Sequence, residues 1–435
     1  MARAIAQVGA EMAPAVVAQL QAAVRIDSVN PAHAGTGGEG AVQAFVAAEL
    51  ERIGCRVEMW EPDADALVSA YPFLRASVPA EGFRGRPNVL GWFPATAPPD
   101  GRRVHLILNS HADTVAPGDP AAWPFAPLSA TVSDGRMFGL GTVDAKGCLV
   151  TFLGALGVLH EAGIILREPV LIQSVADEEN GGAGTLDCIR RGYTASAAVV
   201  GEPTSLVVCP GTRGSVTLAL RVTGRRAHPG EGWRGVNAIQ MAWRYVQALE
   251  QLRLDLERTA MHPLWRPLPA GHVWNLTALN SGPPGPAVPD GCELQYNIGA
   301  IGGERLADLR SAVEAVIALV TAEDAWLAAH PPELRWVGLA MDPALTDPEH
   351  PAVRAFVAAG RELGEPAAVT GLSAITDGRH LVNSGGIPTI NFGPGEIHRC
   401  HSPEEALPLE ELRRATTWVA AFTARYCGVA PESRA

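Results

Sequence analysis

The sequence predicts an α/β layered domain interrupted by an inserted α+β domain, and three observations carry that prediction. Short apolar runs rich in β-branched residues, at Val104–Leu108, Val170–Val175 and Ala197–Val200, recur ahead of Pro210, as strands buried on both faces of a sheet do. Helical patterns lie between them, and such alternation is the mark of a layered α/β domain. After Pro210 the runs become half-polar, and from about Met341 the buried-strand style returns, most clearly at Pro388–Phe392.

Taken in order, Met1–Leu20 is rich in Ala and Val but broken by Gln7, Glu11, Pro14 and Gln19, which argues against the apolar core of a signal peptide. Glu61–Pro99 is rich in Pro and Gly and reads as loop or insertion. Ala145–His160 is apolar nearly all round, the pattern of a helix buried against a sheet. Val216, Leu218, Leu220 and Val222 then alternate with Thr217, Ala219, Arg221 and Thr223, which predicts a strand with one wet face. A helix follows, with apolar positions Val236, Ile239, Trp243, Val246, Leu249, Leu252 and Leu256 stepping by three or four. Strand-like runs around Val273–Leu279 and Glu293–Ile298 flank the turn-rich Ser281–Asp290. A second helix (Leu306, Leu309, Val313, Val316, Val320) and a strand around Leu334–Val337 complete a β-α-β-β-α-β unit, the ferredoxin-like arrangement. The inserted domain is thus placed at 210–339, and 1–209 with 340–435 form the domain around it.

The 435 residues, with 46 acidic against 34 basic side chains and a net charge of −12, suffice for two to three domains at about 150 residues each and for a large core. A net acidic chain without a basic run lacks the footprint of a nucleic-acid binder. No apolar run reaches the about 18 residues of a membrane span. Seven cysteines without C-x-x-C spacing fit a reduced cytoplasmic protein better than a disulfide framework or a structural zinc site. Of the basic residues only Lys146 is lysine.

Chemistry gathers where predicted strands end. The strand through Leu106–Ser110 runs into His111-Ala112-Asp113-Thr114, and residues two apart on a strand share a face, so Asp113 can orient the His111 imidazole. Asp144 stands just before the buried helix, Val170–Ala176 ends in Asp177-Glu178-Glu179, and Ala197–Val200 ends in Gly201-Glu202. Carboxyl ends of strands are where ligands bind in open α/β sheets. Late in the chain, Gly393-Pro394-Gly395-Glu396 is followed by His398 and His401. Brought together, these carboxylates would repel one another and raise each other's pKa values. Divalent metal is the simplest remedy: two histidines and three carboxylates can hold two ions about 3.5–4 Å apart with one carboxylate bridging. Nitrogen and oxygen donors suit Zn²⁺, or Co²⁺ and Mn²⁺.

At this point the sequence resembles the M20 metallopeptidases, a family that includes acetylornithine deacetylases, succinyl-diaminopimelate desuccinylases and aminoacylases. The resemblance spans nearly the whole chain. It rests on Ser110–Thr114, Gly139–Gly147, Ala176–Glu179, Val200–Thr204, Thr376–Arg379, Phe392–Gly395 and His401–Glu405, taken in that order. It implies a Zn-peptidase-like catalytic domain with an inserted dimerisation or lid domain, and a homodimer. His111 and Glu202 would hold one ion, Glu179 and His401 the other, and Asp144 both; Gly393-Pro394-Gly395 and Glu405 set the register that favours His401 over His398. Glu178 would be the general base, Asp113 the support of His111, and the Asp144–Ala145 peptide cis. His228, followed by Gly235-Val236-Asn237-Ala238-Ile239, would polarise the scissile carbonyl in its own or the partner subunit. Arg379, Asn237 and Gly395 would contact substrate, Arg379 by gripping a carboxylate unless it serves as an ion-pair partner of Asp377.

The implied reaction is hydrolysis of the N-acyl amide bond of a small N-acylated amino acid or related amine, of deacetylase, desuccinylase or deformylase type, by metal-activated water. The alternatives are a dipeptidase or carboxypeptidase on the same scaffold, and a non-catalytic binding dimer. One departure bears on substrate: many members carry arginine where this chain has Gly299.

Overall fold

The computed structural model describes all residues except 34–37, 283–284, 432 and 434–435; residues 283–284 of the expected turn-rich segment therefore lie outside the described residues. The chain divides into two compact units, Met1–Thr212 with Leu345–Ala435, and Arg213–Ala344.

A mixed sheet forms the centre of the first unit. Its main strands are β1 (Arg56–Trp60), β2 (Asn88–Phe93), β3 (Arg103–His111), β4 (Val170–Val175), β5 (Thr194–Val200), β6 (Val208–Thr212), β7 (Val369–Gly371) and β8 (Thr389–Asn391). They lie in the order β1-β2-β4-β3-β5-β8-β6, with β7 beside β6. The four central strands are parallel, and their register aligns His111 with Val175, Asn109 with Val200, and Asn391 with Val200. Their carboxyl ends therefore share one edge. Side chains alternate between faces: Leu106, Leu108 and Ile172 pack into one apolar layer, Ile107 and Leu171 into another.

The first layer is closed by helices Lys146–Glu161, Pro351–Glu362 and Leu409–Cys427. Helix Lys146–Glu161 is buried from Lys146 through Leu159, which accounts for its lack of a polar face. Trp418 lies across helix Pro351–Glu362, donating its indole N–H to the Phe356 carbonyl at 2.9 Å. The helix admits the ring because residue 360 is glycine: a Cβ there would stand 2.1 Å from the Trp418 ring.

In the second unit four antiparallel strands lie in the order Trp274–Asn280, Gly291–Ala300, Gly214–Thr223, Glu333–Met341. With helices Ala238–Thr259 and Leu306–Ala322 this is the ferredoxin-like order expected from the alternation. Val216, Leu218, Leu220 and Val222 are buried; of the face expected to be wet, Arg221 and Thr223 are exposed, but Thr217 is half-buried and Ala219 is buried.

Three expectations need correction. Glu61–Pro99 is not all loop: Ala64–Ala70 is helical, and β2 is a fully buried strand of the sheet. Gly91 made that segment look irregular, yet a Cβ there would meet Leu50 and Ile172 at 2.8–2.9 Å, so glycine lets helix Gly40–Arg52 approach the strand. In helix Ala238–Thr259 the buried stripe is Ala238, Ala242, Tyr245, Val246 and Leu249, and Trp243 is exposed; small residues fill the tight contact that apolarity alone assigned to the larger ring. In helix Leu306–Ala322 the core position is Ile317, with Val316 only half-buried.

Substituting Gly360→Ala tests the Trp418 seat. The overpacked contact is expected to destabilise the unit by about 1–3 kcal/mol, seen as a Tm lowered by several degrees in calorimetry. An unchanged Tm would mean that the ring does not lie against this glycine.

Candidate metal centre

Each acidic or imidazole group reaches the sheet edge by a short path from a buried strand. His111 is the last residue of β3, the turn 177–179 follows β4, and Glu202 follows β5 by two residues. Asp144 precedes helix Lys146–Glu161, whose positive amino end favours an anion there, and the Asp144–Ala145 peptide is cis. His401, left-handed at φ 57°, comes from the loop after β8.

These residues form two triads that share one carboxylate. One ligand-type atom from each of His111, Asp144 and Glu202 lies within 4.8 Å of the others, and the same holds for Asp144, Glu179 and His401. His111 Nε2 is 3.1 Å from Asp144 Oδ1, and His401 Nε2 is 3.3 Å from both Asp144 Oδ2 and Glu179 Oε2. His398 is in neither triad.

Asp113 works more broadly than the spacing implied. His111 Nδ1 faces the Asp113 backbone carbonyl at 3.0 Å and its carboxylate at 3.5 Å. The carboxylate itself accepts the N–H groups of Glu178 (3.2 Å) and Glu179 (3.1 Å) and the Asn30 amide (2.8 Å). One side chain thus supports the imidazole and holds the turn that carries both glutamates.

The electrostatics follow from crowding. Burial raises the Glu202 carboxyl well above its usual pKa, with Asp144 adding to the effect against His111. Burial and Asp144 raise Glu179, against the hydrogen bond from His401. Glu178, in neither triad, is raised well above the ordinary range by burial, then by Asp377, Glu202 and Glu179. The imidazoles move the same way: burial depresses His111, but Asp113 and Asp144 outweigh it, and Asp144 and Glu179 lift His401 to about 10. Asp144 stays low, because hydrogen bonds from the two imidazoles outweigh its burial.

Each imidazole thus faces carboxylates, and the same groups suit divalent metal. The donor set fits such ions: two imidazole nitrogens, three carboxylates, and a buried Glu179 Oε1 that has no hydrogen-bond partner among the described residues.

Glu405 holds the shared ligand's loop. Buried, it accepts the N–H groups of Gly141 (3.1 Å), Val143 (2.8 Å) and Asp144 (3.1 Å). Lys146 is also buried, donating Nζ to the Ile26 carbonyl at 2.7 Å, so it ties chain segments together without joining either triad. Sequence inspection missed Asn30, Glu39 and Arg86, which surround the 177–179 turn. Their separation along the chain leaves no motif to find.

The remaining candidates are placed differently. Arg379 is buried and donates to the carbonyls of Thr376 (3.1 Å) and Gly181 (3.2 Å); no ion pair with Asp377 occurs among the described residues. Gly395, at φ 95°, donates its N–H to Glu411 (2.8 Å) and accepts the Ser205 N–H on its carbonyl (2.8 Å). His228 and Asn237 belong to the second unit. There His228 is exposed and accepts the Gly230 N–H at 3.1 Å, while Asn237 caps helix Ala238–Thr259 through the Ile239 N–H at 3.0 Å.

Residues 107–425 match peptidase family M20/M25/M40. The chain belongs to this family. An M20 relative in Halalkalibacterium halodurans, N-formyl-4-amino-5-aminomethyl-2-methylpyrimidine deformylase, is 30% identical over 404 residues, 88% of each chain. An acetylornithine deacetylase of Pasteurella multocida is 28% identical over 368 residues, 83% of this chain and 89% of its own. Among solved structures, a Staphylococcus aureus tripeptidase superposes with a TM-score of 0.68 at 18% identity, covering 94% of this chain and 96% of its own. Human carnosine dipeptidase 1 gives 0.67 at 16% identity, covering 98% of each; both share the M20 fold.

Glu405→Ala strips the acceptor from three N–H groups beside Asp144. Loss of such support is expected to weaken metal retention about 10–100-fold, read by competition with a chromogenic chelator on protein whose circular dichroism is unchanged. Retention within twofold of the parent would show that the carboxylate does not hold this loop.

Proposed function

We propose that this M20 chain is a two-metal amidohydrolase that cleaves the N-acyl bond of a small N-acylated amine or amino acid. The observation that carries the proposal is a pair of ligand triads sharing Asp144, with a raised-pKa carboxyl, Glu178, in neither. When bound by His111, Glu202, Asp144, Glu179 and His401, two divalent ions, zinc before cobalt or manganese, supply Lewis acidity to a water and to the scissile carbonyl.

The chain's own groups do the rest. Glu178 takes a proton from the attacking water and delivers it to the leaving amine. Burial and neighbouring carboxylates raise its proton affinity, which suits a group that keeps that proton between bond formation and bond cleavage. Asp113 keeps the glutamate turn fixed by its two N–H contacts. The family resemblance implies further roles, His228 of its own or the partner subunit at the developing oxyanion and Arg379, Asn237 and Gly395 at the substrate, although the Gly395 N–H is already donated to Glu411.

Gly299 bears on the substrate. Its N–H donates to the Val273 carbonyl at 3.2 Å, and a Cβ would stand 2.5 Å from that oxygen. No side chain fits, so the arginine of many members has no counterpart at this position. A formylated or acetylated amine without a carboxylate is therefore favoured, in keeping with the formyl-aminomethylpyrimidine named for the Halalkalibacterium relative. The proposal extends to a homodimer and a cytoplasmic location. The free state of all seven cysteines supports the latter, and among the described residues no helix is long and apolar enough to cross a membrane.

The test is a panel of formyl-, acetyl- and succinyl-amines and amino acids beside dipeptides. Parent protein, chelator-stripped protein and Glu178→Ala are assayed together. Turnover is expected on acyl amines, lost on stripping and restored by Zn²⁺, Co²⁺ or Mn²⁺. Glu178→Ala should lower kcat by about 10²–10⁴-fold with two ions per chain by elemental analysis. Substantial turnover by that variant would rule out the assigned base, and activity confined to dipeptides would make the chain a dipeptidase.

A further inference from the structure

Three consecutive backbone N–H groups in the glutamate turn all end on buried carboxylates. Asp177 N–H donates to Glu39 Oε1 at 3.1 Å, Glu178 N–H to Asp113 Oδ1 at 3.2 Å, and Glu179 N–H to Asp113 Oδ2 at 3.1 Å. Asp177 is left-handed at φ 67°, a conformation that a non-glycine residue keeps only where its surroundings enforce it. Those surroundings are explicit. Arg86 grips Glu39 through Nε and Nη2 at 2.6 and 2.7 Å, and the same Nη2 reaches Asp177 Oδ1 at 2.7 Å. The Asn30 amide spans Asp113 (2.8 Å) and Asp177 (3.0 Å). All five side chains are buried, Arg86 being the most exposed at 4%.

A buried ion pair of this kind is weak evidence for stability, since apolar replacements of similar volume are often neutral or better. What it fixes here is direction. The Glu39 carboxylate receives both a guanidinium fork and the N–H of the left-handed residue, so the angle at which Glu178 and Glu179 leave the chain is set from outside the motif that contains them. We propose that Glu39 and Arg86 are a positioning pair that aims Glu178 and Glu179 into the site. It rests on the base and ligand roles given to those glutamates above. Neither Glu39 nor Arg86 touches the reacting atoms in this scheme.

Three variants test it: Arg86→Lys keeps the charge and loses the fork, Glu39→Gln keeps the shape and loses the charge, and Arg86→Met/Glu39→Leu removes both. A kcat lowered about 10–100-fold is expected in the double variant at full metal content, with KM changed little and partial recovery in Arg86→Lys. In metal-free protein, hydrogen exchange of the peptide spanning 176–182 should quicken about tenfold while helix Lys146–Glu161 keeps its protection. A merely structural pair would lower Tm and quicken exchange across the whole unit while leaving kcat per loaded site intact, and that outcome overturns the proposal. So do kcat and exchange both within twofold of the parent. If the double variant does not fold, Arg86→Lys and Glu39→Gln decide by the same readouts. The exchange result also separates this inference from the functional one, since it is read without turnover: active Glu178→Ala would remove the base and leave the positioning claim standing or falling on exchange.

Discussion

Like-charge repulsion at one sheet edge is the constraint on which the rest of the site depends. Asp113, Asp144, Glu178, Glu179, Glu202 and Asp377 converge there, and burial would drive most of them toward the protonated form. Two neighbouring features answer that pressure. Helix Lys146–Glu161 begins two residues after Asp144, with its positive end there, and two imidazoles sit between the acidic groups. Divalent cations held by the same donors would complete that balance, each bringing two positive charges.

Such crowding is tolerable only on a stiff frame. Parallel pairing of β4, β3, β5 and β8 puts four strand ends in line, and apolar layers on both faces hold each strand against slipping. A slip of one residue in β3 would carry His111 to the opposite face of the sheet. The small residues at the contacts belong to the same requirement: a Cβ at Gly147 would stand 2.2 Å from the Thr142 carbonyl, and one at Gly393 2.5 Å from Cys148 Sγ. The loops that bear Asp144 and Glu202 can approach only because these positions lack side chains.

Much of this was legible in the sequence because most ligands stand within a few residues of a buried strand or helix, so that the motif and its placement are read together. His111, Asp144, Glu178, Glu179 and Glu202 are of that kind; His401, far beyond β8, is picked out by the family resemblance. The supporting groups are not. Asn30, Glu39 and Arg86 reach the same turn from three segments, and nothing local marks a lone Asn or a Glu followed far later by an Arg as members of one network. β2 was hidden for a related reason: its central Gly91 breaks the apolar run, and what makes glycine necessary is Leu50 on another element. Pairwise constraints between distant segments leave single residues, and single residues carry no periodicity.

Lys146 shows how composition and geometry meet. In a chain whose other basic residues are arginine, this one side chain is fully buried, its stem 3.2 Å from where a Cβ at Gly141 would lie, and its Nζ meets the Ile26 carbonyl. Burial lowers its pKa to about 8, against the pull of Glu405 and Asp27. An arginine would bring a wider planar head with five donors to the Ile26 carbonyl, and buried donors without partners are costly. Its charge also could not relax by losing a proton, as that of a buried amine can. The slender, titratable side chain is therefore the one that can join the segment after helix Ala2–Val24 to the start of helix Lys146–Glu161 without adding unmatched donors behind Asp144. Its place is thus in the support of the ligand loop, with the chemistry left to the carboxylates and imidazoles in front of it.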